Sequence, residues 1–255
     1  MPEADHEHVR QMTTHVCTIS RYCSREVKYG ERSGVTSQLL DVLSHDARRR
    51  VLQRCNRMRF GAGAYIFHAG EAGDSLHIID SGRVGVQAGG ALGEPVTLMI
   101  LGPGDEFGVL ALLGPEHRRS ATIQAITTTE TLVLHRDDFE EVRRTHPSVD
   151  RFLITLLASQ VTRLTEQVVE AAELPAPTRI YRRIVQLGTL FEVAGSNTPI
   201  PITQNQLASM AGAKLRVTNA VLAKAKGDGV LDLARRRIAV LDWTEVHRRA
   251  RLRFN

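Results

Sequence analysis

Between Ser148 and Ala172 the apolar residues Ile154, Leu157, Val161, Leu164, Val168 and Ala171 follow one another at steps of 3, 4, 3, 4 and 3. That is the rhythm of a coiled-coil seam, held for nearly three heptads. A stripe this narrow suits a partner helix better than the broad apolar face of a helix lying on its own domain. The simplest partner is the same helix of a second copy. A homodimer with two-fold symmetry is therefore expected, with these six residues at its interface. Leu174-Pro175-Ala176-Pro177 stops the helix, because each proline lacks an N–H and restricts the residue before it.

The helix, assigned to 147–174, divides the chain. Residues 1–35 are rich in His, Arg, Ser and Thr, show little apolar periodicity, and read as a loosely docked arm. Residues 36–146 open with a helical rhythm from Gln38 to Met58 and then change period. Short apolar segments follow at Tyr65–Phe67, Leu76–Ile79, Arg83–Val86, Val96–Ile100, Thr122–Ile126 and Thr131–Leu134, most of them punctuated by Gly, Pro or Asp. Such a series reads as an antiparallel sandwich or jelly roll. Residues 175–255 return to helices, the first spanning Arg179–Val193.

The net charge of +5 conceals an asymmetry: the stretch from Arg179 onward carries +9 and the first 178 residues carry −4. A basic module on a slightly acidic body points to a polyanion such as nucleic acid. No apolar run approaches the roughly 18–20 residues needed to span a bilayer, and the N-terminal MPEADHEHVR lacks the basic start and apolar stretch of a signal peptide. Three cysteines, Cys17, Cys23 and Cys55, make no disulfide framework. A cytoplasmic location with no membrane partner is expected.

Inside the basic segment, Thr203-Gln204-Asn205-Gln206 has the form of a capping box opening a short helix through Leu207, Ala208 and Met210. Gly212 ends it, and a second helix runs through Val217, Val221 and Leu222. Two short helices around a tight glycine turn form a helix-turn-helix, whose second helix enters the major groove of double-stranded DNA. Arg235-Arg236-Arg237 lies between Leu233 and Ile238-Ala239-Val240 as the basic tip of a small β-wing that would neutralise phosphates.

This order of parts resembles the CRP/FNR family of bacterial transcription regulators, from about Val35 to Asp242. The resemblance rests on Gly70-Glu71-Ala72-Gly73-Asp74-Ser75-Leu76-His77-Ile78-Ile79-Asp80-Ser81-Gly82, on Phe107-Gly108 with Arg119-Ser120-Ala121 beginning eleven residues after that glycine, and on the Ile202–Gly212 stretch. It implies an α+β chain: an N-terminal antiparallel β-roll (a jelly-roll-like double-stranded β-helix), a long dimerisation helix and a C-terminal winged helix-turn-helix. The family's base-reading pattern, Ser-Arg-Glu-Thr-Val-x-Arg, is here Lys214-Leu215-Arg216-Val217-Thr218-Asn219-Ala220, so the family's usual operator does not carry over. By direct-readout chemistry, Arg216 suits guanine, Asn219 adenine, and Lys214 either guanine or phosphate. Thr203, Gln204, Thr218 and the three wing arginines complete the expected DNA-binding set. The expected operator is near-palindromic, and RNA polymerase is a partner if the protein activates.

The resemblance also implies an effector site. Family members that bind cyclic AMP hold its phosphate with backbone N–H groups, an Arg and a Ser. Gly108, Leu110, Ala111, Arg119, Ser120 and Ala121 match that cassette. The Glu that grips the ribose is Val109 here, and the Thr-Ser pair that meets the purine is Leu164-Thr165. The effector is left open: a cyclic nucleotide, another phosphate ligand, or none, with Arg119 paired to an acidic neighbour in a vestigial pocket. The family's redox branch binds an iron–sulfur cluster through N-terminal cysteines, which Cys17 and Cys23 resemble. A cluster needs four ligands, yet Thr14 and Val133 stand at two of those positions, so none is expected. His15 with Cys17 and Cys23 is the candidate set for a mixed metal site.

An enzyme is not expected. There is no phosphate-loop motif and no nucleophile elbow, and Gly61-Ala62-Gly63 precedes a strand rather than a helix. The alternative from another class is a cyclic-nucleotide-binding scaffold, whose activity would survive deletion from Ile202 onward.

Overall fold

The computed structural model describes residues 36–89 and 95–251. Ser37 and Ser44 cap two short helices, α1 (Gln38–Asp41) and α2 (His45–Arg54), each accepting a backbone N–H three residues on. Two four-stranded sheets follow, antiparallel in every pairing. One has the order β1 (Asn56–Phe60), β8 (Thr129–His135), β3 (Ser75–Ser81), β6 (Glu106–Phe107). The other has the order β2 (Tyr65–Phe67), β7 (Thr122–Ala125), β4 (Val84–Gly89), β5 (Pro95–Leu101). The two-residue period of strands assigns the faces. Leu76, Ile78, Leu132 and Leu134 look outward into a core shared with Leu39, Leu40, Phe139 and Phe152 of the helices. Ile79, with Phe67, Val84, Phe107 and Ile123 of neighbouring elements, packs inside the roll.

The helical rhythm expected to run to Met58 stops earlier. Helix α2 ends at Arg54, and Asn56–Phe60 is strand β1, paired with β8. Its side chains are largely exposed, so no apolar alternation marks it. Helix α3 (Val109–Leu113) bridges the roll, and α4 (Arg136–Thr145) leads to α5 (Ser148–Glu173). The 26 residues of α5 span about 39 Å. Its first turns are buried through Val149, Phe152 and Leu153, whereas Val161 is 64% and Val168 68% exposed. Pro175 caps α6 (Ala176–Leu190), and Pro177 sits in its first turn, where no N–H is needed.

Helices α7 (Gln204–Met210) and α8 (Leu215–Gly227), the hairpin of β9 (Leu231–Ala234) and β10 (Arg237–Val240), and α9 (Trp243–Arg249) complete the chain. They share a core of Ile184, Leu207, Leu222, Leu231, Ile238 and Val246. Ile100 and Ile126 of the roll join that core, and Arg83 Nε donates to the Leu190 carbonyl at 2.7 Å. The reading half is thus docked on the sheet containing β5. The architecture is an N-terminal β-roll followed by a helix-turn-helix domain. Among the described residues no helix is long and apolar enough to cross a membrane.

Candidate DNA-reading face and roll cavity

Helix α7 begins with a complete capping box. The Thr203 hydroxyl accepts from Gln206 N at 3.1 Å, and Gln206 Oε1 accepts from Thr203 N at 2.8 Å. Gly212 takes φ +56 in the turn, left-handed backbone that glycine adopts without penalty. Helix α8 then starts at Leu215 with Lys214 as its N-cap, and no side chain there caps the helix. Lys214, Arg216 and Asn219 are exposed together with Leu215 and Val217. Neither Lys214 nor Arg216 pairs with a carboxylate among the described residues, so the cationic face of α8 is available to a polyanion. Leu215 and Val217 were not anticipated as reading residues. Apolar side chains at this edge suit thymine methyl groups, and the signal was their place inside the base-reading stretch.

Two residues of the expected DNA set do other work. Thr218 has no exposed surface, and its hydroxyl donates to the Lys214 carbonyl at 3.4 Å, so it ties the start of α8 and does not face outward. The Thr203 hydroxyl is occupied by its capping box, and Gln204 is half-buried beside it. The wing is present. Arg235 and Arg236 form the two-residue turn between β9 and β10, Arg237 opens β10, and all three are exposed. Arg236 holds φ +58, a conformation costing an ordinary side chain about 1 kcal/mol.

Much of the remaining basic charge is internal. Arg179 donates from Nη1 to the Leu174 carbonyl at 2.6 Å, and from Nε and Nη2 to the carbonyls of Ala211 and Gly212 at 2.9 Å each. Arg183, buried in α6, reaches Glu170 of α5 at 2.6 Å and the Met210 carbonyl at 3.0 Å. These guanidinium groups join the end of the long helix to the helix-turn-helix corner.

In the roll, Gly108 precedes α3 with φ +89, and a Cβ there would lie 2.6 Å from Arg119 Nη1. Arg119 is only 5% exposed and points inward. Its Nη1 donates to the carbonyls of Ser75 at 2.6 Å and Gly108 at 3.4 Å, and its Nη2 to Ser75 Oγ at 2.8 Å. The guanidinium carbon lies 4.1 Å from the centre of the Phe67 ring. Arg119 lines a cavity of about 270 Å³ together with Met58, Phe60, Phe67, Ser75, His77 and neighbouring residues. His77 stacks on Phe107 at 4.8 Å; burial, and then the Arg119 charge, push its pKa down to about 3.

The other expected effector residues do not line this cavity. Val109 is buried with the helical layer outside the sheet, and Ala111 of α3 is buried against Gly73. Leu110 and Ser120 are exposed, Gly108 and Ala121 half-buried, and Leu164 and Thr165 stand exposed on α5. The inward turn of Arg119, away from Ser120, separates the cassette. Among the expected metal set, Cys17, Cys23 and His15 lie outside the described residues. No group of three potential metal ligands occurs among the described ones. Cys55 is half-buried, and burial pushes its thiol up to about 11.

Residues 57–146 match the cyclic nucleotide-binding domain, and residues 178–249 match the Crp-like helix-turn-helix domain. The chain is 30% identical over 182 residues to the cyclic AMP receptor protein of Thermus thermophilus, covering 69% of this chain and 80% of that one. The chain belongs to the CRP/FNR family. The family's CRP-like cAMP-activated global transcriptional regulator of Mycobacterium tuberculosis is 28% identical over 195 residues, 75% of this chain and 87% of that one. The structure of the c-di-GMP responsive regulator CLP of Xanthomonas campestris superposes with a TM-score of 0.66 at 21% identity, over 78% of this chain and all of that one. The chain is thus a CRP/FNR-type transcription regulator with a cyclic nucleotide-binding fold and a helix-turn-helix that implies DNA binding.

Proposed function

We propose that the protein works as a homodimer that binds a near-palindromic DNA site, and that an effector in the roll shifts the paired α5 helices and with them the two α8 helices. The observation that carries this reading is the course of α5. Its mid-section presents Ile154, Leu157, Val161, Leu164 and Val168 to solvent, a seam that a second α5 would cover. The end of the same helix is bonded through Glu170 and Arg183 to the carbonyl of Met210 at the reading corner. An effector acts by binding one arrangement of the α5 pair better than the other.

On this reading, residues 36–146 are the sensor, 147–174 the dimer helix and 175–255 the reader, with a cytoplasmic place of action. Lys214, Arg216 and Asn219 read bases, while Arg235, Arg236 and Arg237 hold phosphates. RNA polymerase joins as a partner if the complex activates. Sedimentation velocity on the wild type and on Val161→Glu tests the dimer, with operator binding followed in parallel. A carboxylate in the seam is expected to give a monomer and to abolish tight DNA binding together. A Val161→Glu chain that stays dimeric, or a monomer that binds DNA as tightly as the wild type, would sink the reading.

A further inference from the structure

The first turn of α8 carries an exposed apolar pair, and the inference drawn from it rests on the reading that this helix meets base edges. We propose that Leu215 and Val217 read the C5-methyl groups of pyrimidines in the major groove, beside the base pair met by Arg216.

The first observation is where the pair stands. Thr218, Leu222 and Ala225 are the buried residues of α8 and turn one side of it to the core. Arg216 and Ala220, one turn apart, stand exposed on the opposite side. Leu215 and Val217 flank Arg216, each about 100° around the helix from it. They are 43% and 38% exposed. A recognition helix touches base edges with its N-terminal residues, and these are the first three of α8.

The second observation is the chemistry of the whole helix. Leu215 and Val217 have no polar side-chain atom, and the apolar group that the major groove presents is the C5-methyl. Helix α8 contains no Asp or Glu, so no carboxylate on it can accept from cytosine N4. Thr218 is buried, which leaves Asn219 with the one exposed side-chain oxygen of α8, suited to adenine. Pyrimidines are therefore told apart on this face by the methyl. The surroundings select the partner: Lys214 and Arg216 beside the pair, and Arg235, Arg236 and Arg237 of the wing, are exposed cations. That setting complements phosphates flanking a base edge, whereas the core of a protein interface is depleted of charge. Thymine and 5-methylcytosine carry the same C5-methyl, so either satisfies the pair.

Fluorescence anisotropy of the full-length protein on a site selected from random duplexes, with cyclic AMP present and absent, tests the assignment. Each thymine is replaced in turn by deoxyuridine, which removes only the methyl. At one position per side chain in each half-site, the wild type is expected to weaken about two- to fourfold. Leu215→Ala should erase the penalty at one of these positions and Val217→Ala at the other. An effect on DNA stiffness or on helix stability would not give that pairwise coupling. Both residues are exposed and alanine is a strong helix former, so the variants keep the fold. Cytosine at the same positions should weaken binding, and 5-methylcytosine should recover about two- to fourfold. Penalties unchanged in both variants, no penalty at any thymine, or a methylcytosine that recovers nothing would each overturn the methyl reading and leave base reading by Arg216 intact. Failure to select any site would remove base reading and the methyl reading together.

Discussion

Glu170 near the end of α5 accepts from the Arg183 guanidinium at 2.6 Å, and the same guanidinium donates to the Met210 carbonyl at 3.0 Å. One buried cation thus holds the end of α5 and the helix-turn-helix corner at a fixed separation, and Arg182 adds a second bond to Glu170 at 2.9 Å. Glu170→Ala would strand the Arg183 charge in α6. Removing one partner of such a buried pair costs about 3 kcal/mol. The reading half should melt earlier in calorimetry, and effector should cease to change operator affinity even where the variant remains dimeric. Retained control in Glu170→Ala would show that coupling runs by another path.

Arg216 and Arg236 should separate reading from holding. Arg216→Ala is expected to cost about 1–3 kcal/mol on the true operator and far less on random DNA. Arg236→Ala should weaken both alike and lower the salt slope by about one. Arg236→Gly should also relieve the left-handed turn, raising hairpin stability by about 1 kcal/mol while DNA affinity falls. Fluorescence anisotropy across a salt series, beside thermal melts, reads both effects.

Two buried groups give opposite pH dependences. His77 is held near pKa 3 by burial and the Arg119 charge, so the unfolded chain binds a proton that the folded chain refuses. That contribution is full above about pH 6.5 and is lost as pH falls toward 3. Glu106 is pushed up to about 7 by burial, although Leu39 N donates to it at 3.0 Å. Its contribution is full below about pH 4.5 and is lost as pH rises through 7. Urea midpoints should therefore fall more steeply on acidification in Glu106→Gln than in the wild type. At pH 8 the same variant should be at least as stable as the wild type.

Gly188 of α6 lies under the ring of Trp243, and a Cβ there would sit 2.1 Å from Trp243 Cη2. Gly188→Ala should displace α9 and cost about 1–3 kcal/mol through overpacking. Trp243 fluorescence should shift to the red as the indole, now donating from Nε1 to the Ser196 carbonyl, becomes wetter.

The parts legible in the sequence were those with a one-sided apolar pattern or a short-range bond. Leu76, Ile78, Leu132 and Leu134 announced their strands by burial, and Thr203 with Gln206 announced the cap of α7. Strand β1 was hidden because Asn56-Arg57-Met58-Arg59 are exposed and only pairing with β8 makes them a strand. Helix α9 was missed because its burial rests on partners distant in sequence, as the Trp243 contact with Gly188 shows. At the site, charge counting treated the arginines beyond Arg179 as one polyanion-facing set. Arg179, Arg182 and Arg183 are structural, and only tertiary contacts tell them from Arg216 and Arg236. The inward turn of Arg119 depends in the same way on Ser75, 44 residues away in sequence.

The central claim is that two α8 helices read DNA together, placed by a two-fold through α5. Hydroxyl-radical footprinting of the full-length protein on a site selected from random duplexes tests it most directly. The account predicts two protected half-sites centred about one helical turn apart, roughly 34–36 Å, related by an inverted repeat. A single protected half-site, or two in direct repeat, would contradict it.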